Sequence, residues 1–300
     1  MKKLKRLAAI FLFAFLAAFA GARAEDTAAL RIEAHPALWR IHGAHGSVTL
    51  LGSIHVIPAN VNWLTPEIAK AMDEADTFVF EIPVDADAIK KFDALKQARG
   101  TLPRGQTLRQ LLPPEAQADF DRVLAKLQIP EAAVANMRPW LAALVIDQAV
   151  IKRQLRKTAP GPDFAIAAAA GIAGKKTRAL ETVEQQLALI APADPTDELD
   201  DFEIELKNFD INARAVVTLA EAWEKGDTAA LDGIVKQEYE THPEAMKAFF
   251  TDRNLAWAKQ IEAMLGESKN FFIVVGVGHL TGEDSVPALL RAEGFMVEGP

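Results

Sequence analysis

The chain mixes two hydrophobic patterns: short, continuously apolar runs, and longer segments in which apolar residues return every three or four positions. The first reads as buried strand and the second as amphipathic helix. Ser47 to Ile54, Thr77 to Ile82 and Phe271 to Val275 are of the first kind. Apolarity that does not alternate suits a strand covered on both faces, as in a parallel sheet flanked by helices. Leu38 to Ile41 pairs with the first run around the Gly-rich hairpin loop His42-Gly43-Ala44-His45-Gly46. Thr177 to Leu180 and Phe295-Met296-Val297 are further, weaker strands.

Helical spacing is clearest at Phe120, Val123, Leu124 and Leu127. Thr65-Pro66 opens a helix to about Ala75, Pro139 opens a longer one through Leu155, and Gly161-Pro162-Asp163 starts a small-residue helix over Phe164 to Ala173. Phe202, Leu206, Phe209, Ala213, Val216, Ala220 and Trp223 line one face of a long helix that stops at Gly226. Another begins near Pro243 and carries Met246, Phe250, Trp257, Ile261 and Met264; a last one covers about Ser285 to Ala292. The expected fold is α/β, a mainly parallel sheet flanked by helices, with a helical lobe inserted over about 85–158.

Polar residues break this pattern at six places. Gly52-Ser53-Ile54-His55 and Gly276-Val277-Gly278-His279 each close an apolar run with the same Gly-x-x-His spacing. A glycine there is expected to let the chain turn and leave the imidazole at the mouth of the sheet. Glu81 interrupts a buried strand, and Glu181 stands where a strand meets a helix capped by Thr182 and Gln185. Arg253 and Asn254 fall on the apolar stripe between Phe250 and Trp257, where a guanidinium needs a partner. His42 and His45, at a hairpin tip, read as solvated. The order His, Glu, Glu, His hints at two related halves around one cleft.

Composition narrows the chemistry. Lys2, Lys3, Lys5 and Arg6 precede an apolar stretch from Leu7 to Ala22, and Ala22-Arg23-Ala24 follows. This is the layout of a signal peptide over residues 1–24, cleaved near Ala24, which predicts a periplasmic or secreted domain over 25–300 with no stable membrane anchor. The remaining chain carries 28 basic against 41 acidic residues, which argues against nucleic acid as a partner; a peptide or small-molecule substrate is expected. There is no cysteine, which excludes thiolate ligands and nucleophiles. Imidazole and carboxylate oxygen would hold a divalent ion such as zinc, manganese, cobalt or iron(II), able to polarise a carbonyl and acidify a bound water. The expected ligands are His55, His279 and a glutamate, assigned as Glu81, with the spare glutamate, Glu181, as general base; the residues alone leave open which glutamate takes which role. Arg253, with Asn254, would stabilise an oxyanion.

Leu50 to Ile82, Arg138-Pro139-Trp140, Gly161-Pro162-Asp163, Leu180-Glu181-Thr182 with Gln185-Gln186, Arg253-Asn254 with Trp257, and Val275 to Leu280 together resemble the TraB/GumN family, whose relatives include the animal Tiki membrane proteases. The resemblance implies a fold like that of erythromycin esterases and of the ChaN-type haem-binding lipoproteins, with the motif residues in one cleft. It also implies metal-dependent peptide hydrolysis, as in the Tiki branch, from which this chain is expected to depart in carrying a signal peptide and no membrane anchor. A metal-free esterase with a histidine base, and a binding protein for haem, iron or a peptide, are the alternatives.

Overall fold

The computed structural model describes residues 31–191 and 195–300; the expected signal segment lies outside them. Six strands make the main sheet: β1 (Leu38–His42), β2 (Ser47–Ser53), β3 (Thr77–Phe80), β4 (Lys176–Ala179), β5 (Asn270–Gly276) and β6 (Val297–Glu298). Their spatial order is β6-β1-β2-β5-β3-β4. The four strands β2, β5, β3 and β4 are parallel to their neighbours. β1 is antiparallel to both β2 and β6, so it alone runs against the others. The molecule is thus mixed α/β with a mostly parallel sheet.

Helices cover both faces. Phe271, Ile273 and Val275 of β5 pack with Trp257, Ile261 and Leu265 of α9 (Asp252–Leu265) and with Leu290 of α10 (Val286–Ala292). Phe272 and Val274 turn the other way, onto Ile68 of α1 (Pro66–Glu74) and Ile166 of α5 (Pro162–Ile172). That two-sided burial explains why the run does not alternate. Each such side chain contributes about 1.5–3 kcal/mol when fully removed from water.

Between β3 and β4 the chain forms α2 (Ala86–Gly100), α3 (Pro114–Leu127) and α4 (Pro139–Gln154), the inserted lobe. It does not close on itself. Phe120, Val123, Ile146 and Val150 share a core with Phe202 and Leu206 of α7 (Pro195–Glu224), a helix that follows α6 (Val183–Ile190). α8 (Thr228–Thr241) buries only Leu231 and Val235, which explains why its periodicity is faint in the sequence. After His55 the chain forms a short strand, Val56–Pro58, antiparallel to Thr158–Pro160.

Two local features correct the sequence reading. Neither Gly52 nor Gly276 has a positive φ. Gly52 is needed for space, since a Cβ there would lie 2.8 Å from Val277 Cγ2. Gly276 instead offers its N–H to Glu81 Oε1 at 2.7 Å. The helix from Pro243 is also interrupted by a π-turn over Lys247–Thr251. Such a turn re-registers the following residues, and it lies directly before Arg253 and Asn254.

Candidate functional site

Parallel strands end on the same edge of a sheet, the usual place for chemistry in α/β folds. Here β2, β5, β3 and β4 deliver His55, His279, Glu81 and Glu181 to that edge in that spatial order. The sequential order His, Glu, Glu, His therefore becomes two neighbouring histidines beside two neighbouring glutamates. Backbone pairing continues past β3 and β4, with Glu181 N–H donating to the Glu81 carbonyl at 2.8 Å. That bond sets the two carboxylates side by side.

Arg253 reaches them from α9. Its Nε donates to Glu181 Oε1 at 2.7 Å, and its Nη2 to Glu181 Oε2 at 3.1 Å and Glu81 Oε2 at 2.9 Å. Nη1 donates to the Phe249 carbonyl and to His279 Nε2, both at 3.0 Å. A guanidinium has five N–H donors, and all five are used. Trp257 stacks 4.6 Å from its centre and donates Nε1–H to Glu181 Oε1 at 2.9 Å. The arginine is 12% exposed, Glu81 13% and Glu181 9%. Burial of these charges is tolerated because every one is paired.

The bond to Arg253 decides the state of His279. Because a guanidinium cannot accept, Nε2 must, so the proton sits on Nδ1 and goes to Asn254 Oδ1 at 2.5 Å. Asn254 Nδ2 in turn donates to the Asp284 carbonyl at 2.8 Å, which orients the amide. The ring lies between Phe250 and Trp257, with centroids 4.7 and 4.2 Å away. Desolvation first, and the Arg253 charge second, push its pKa well below the ordinary value. His279 is neutral.

His55 is the opposite. Its Nδ1 lies 2.6 Å from Asp163 Oδ2, and Ser53 Oγ donates to Asp163 Oδ1 at 2.8 Å. Burial would lower its pKa, but the Asp163 charge and hydrogen bond, helped by Glu81, outweigh it and raise the value above 6.5. Among the described residues its Nε2 makes no hydrogen bond. Asp163 arrives through close docking of Gly161: its N–H donates to the His55 carbonyl at 2.7 Å. A Cβ at Gly161 would lie 1.9 Å from the Ile54 carbonyl oxygen, so only glycine fits. Pro162 then begins α5, and Asp163 sits in its first turn.

Glu81 links the two sides. Burial would raise its carboxyl, but Arg253, the two imidazoles and the Gly276 N–H hold it at about 2. Gln186 Nε2 adds a hydrogen bond to Oε2 at 2.9 Å. Beside this carboxylate lies a partly open cleft, lined among others by His55, Glu81, Val84, Asp163, Phe164 and Gln186. Arg253, Asn254, His279 and Glu181 are not in its lining; they form the layer beneath. All six residues singled out in the sequence thus meet in one region, five in a continuous hydrogen-bond network and His55 facing them through charge. Asp163, Ser53, Gln186 and Trp257 had no assigned role in the sequence. The signal that could have found Asp163 was an acidic residue directly after Gly-Pro, which also reads as simple helix capping.

The donor set can be tested against a divalent ion. Both imidazoles are held through Nδ1, the way ligating histidines are usually oriented, with a carboxylate near both. Yet the guanidinium claims His279 Nε2 and Glu81 Oε2, and among the described residues no three His, Asp or Glu groups converge as ligands. The arrangement accommodates the guanidinium at those atoms, not the guanidinium and an ion together.

These features define a mixed α/β protein with a charged strand-end site floored by a buried Arg–Glu–His network. The chain belongs to the TraB/PrgY/gumN family, whose profile matches residues 37–299, nearly its whole length. No curated protein and no solved structure matches it. Among the described residues no helix is long and apolar enough to cross a membrane.

Proposed function

We propose that this chain is a hydrolase of peptidase type, acting on a peptide or small acyl substrate in the periplasm or outside the cell, with water activated at His55. The observation that carries this reading is the His55–Asp163 pair at the cleft, with Nδ1 gripped and Nε2 unengaged. A base oriented by a carboxylate at the lining of a cleft is the arrangement that general-base catalysis requires. Neutral His55 takes a proton from water at Nε2, and Asp163 stabilises the imidazolium that results. Water attacks the substrate carbonyl; Gln186, with a second Nε2 hydrogen beyond the one given to Glu81, is a neutral donor for the oxygen that gains charge. Returning the proton to the leaving group completes the hydrolysis. Glu181 acts here as the anchor of Arg253, since both of its oxygens are occupied. An architecture of the erythromycin-esterase and ChaN type is part of the same proposal, supported by the strand-end location of the site.

A second route to activated water would use a divalent ion, manganese, cobalt or zinc, taken by His55, Glu81 and His279 only once Arg253 has left His279 Nε2 and Glu81 Oε2. The Nδ1 anchoring of both imidazoles favours it. The ion would supply a bound water of lowered pKa. A peptide library incubated with purified protein, with and without chelator, tests both routes. Cleavage that survives chelation and is lost in His55→Ala supports the histidine base. Cleavage lost with chelator and restored by one metal supports the ion. No cleavage under either condition would sink the hydrolase proposal.

A further inference from the structure

We infer that Arg253 is a tethered cation standing in the place of a divalent ion, so that ion binding at His279 Nε2 and Glu81 requires release of its guanidinium. This rests on His55, Glu81 and His279 being potential ligands, not on hydrolysis.

Three observations converge on it. The Nη1 donor lies 3.0 Å from His279 Nε2, on the one lone pair through which that ring could bind an ion. Nη2 lies 2.9 Å from Glu81 Oε2, while the other oxygen, Oε1, already accepts from the Gly276 backbone. Finally, all five donors are satisfied, two by the Glu181 carboxylate, so the guanidinium is locked in place rather than resting there loosely. A dication and a guanidinium cannot share these atoms, since both would need the same lone pairs and like charges at that separation repel strongly. Glu181 is therefore the residue that holds the lock: by gripping Nε and Nη2 side-on it sets how readily the arginine leaves.

Removing the arginine should uncover an ion site. Arg253→Met alone leaves two buried carboxylates opposed by no cation and risks misfolding. The pair Arg253→Met with Glu181→Gln removes one charge of each sign and keeps His55, Glu81 and His279. Cobalt(II) is the probe, because its visible absorption reports coordination as well as affinity. Titration of the full-length wild type, the double variant, and the double variant carrying His279→Gln needs no substrate, and far-ultraviolet circular dichroism confirms that each is folded.

The expected result is one cobalt(II) bound at least tenfold more tightly by the double variant than by wild type, with the gain abolished by His279→Gln. Equal or weaker binding by the double variant would overturn the inference, as would a gain that survives His279→Gln. Should the double variant misfold, Glu181→Gln alone, which loosens the lock without removing the arginine, is expected to raise cobalt affinity above wild type; no rise overturns the inference. Tight stoichiometric binding by wild type that neither change improves would leave the ion route of hydrolysis standing while removing Arg253 as its competitor.

Discussion

His55 and His279 each follow a glycine by three residues, stand at the ends of adjacent parallel strands, and carry opposite preferences for a proton. His55 faces a cleft and has a carboxylate on Nδ1, so it favours the charged form. His279 is 3% exposed, stacks against two aromatic rings and faces a guanidinium, so it is neutral. One motif has produced a carboxylate-paired imidazole at a cleft on one strand and a buried hydrogen-bond acceptor on the next. The difference comes from what each Nδ1 and Nε2 meets, and those partners, Asp163, Asn254 and Arg253, are distant in sequence.

The sharpest way to break this comparison is to remove the cation that neutralises the lower layer. Arg253→Ala should cost about 3–5 kcal/mol of stability, because Glu81 and Glu181 would be left buried without a counter-charge. Denaturant unfolding measures it; a cost within ~1 kcal/mol would mean that water already screens the network.

The two histidines should then separate by assay. His55→Ala is expected to lower hydrolysis by about 10²–10⁴-fold, the typical contribution of a positioned base, and to cost some stability as well because Asp163 is only 12% exposed. His279→Gln is expected to cost about 1–3 kcal/mol of stability by breaking a buried hydrogen-bond chain. Swapped outcomes would reverse the assignment of the roles.

Stability should also depend on acid through Glu81. Its folded value of about 2 lies below the ordinary 4.5, so its contribution is present above pH 4.5 and fades as the pH falls towards 2. The amount is on the order of 3 kcal/mol. His279 acts in the same direction at higher pH, since its depressed value makes protonation of the unfolded chain favourable below 6.5. His55 acts oppositely: its contribution is complete below 6.5 and lost as the pH rises through its raised folded value. Unfolding midpoints across pH, in wild type and Glu81→Gln, would show whether the acid-side loss belongs to Glu81.

The smallest expected effect is the most specific. Hydrolysis through neutral His55 should rise with pH along an acid limb centred above 6.5, because the proton must leave first. Asp163→Asn removes the charge that raises that value, so the limb should move to lower pH. A limb that does not move would separate Asp163 from the base.

Much of this was legible from residue order. The uninterrupted apolarity of Phe271 to Val275 announces two covered faces, and both are covered. Thr65-Pro66 and Thr182 with Gln185 mark helix starts, where their side chains cap as expected. Glu81 and Arg253 stand out because charge in an apolar setting needs a reason, and each supplies the other's. α8 and the π-turn were not legible, since one has few buried positions and the other is a register shift inside a helical pattern.

By itself, the sequence determined which residues are chemically out of place: two strand-end imidazoles, two carboxylates, and an Arg-Asn pair on a core face. Local pattern suffices for that, because burial of charge is costly wherever it occurs. Only the tertiary structure decided who partners whom. The parallel order β2-β5-β3-β4 brings His55 beside His279 and Glu81 beside Glu181, and α9 lays Arg253 across them. Protonation and availability of a lone pair depend on contacts of a few ångströms between residues 25 to 172 positions apart, and residue order alone does not carry that information.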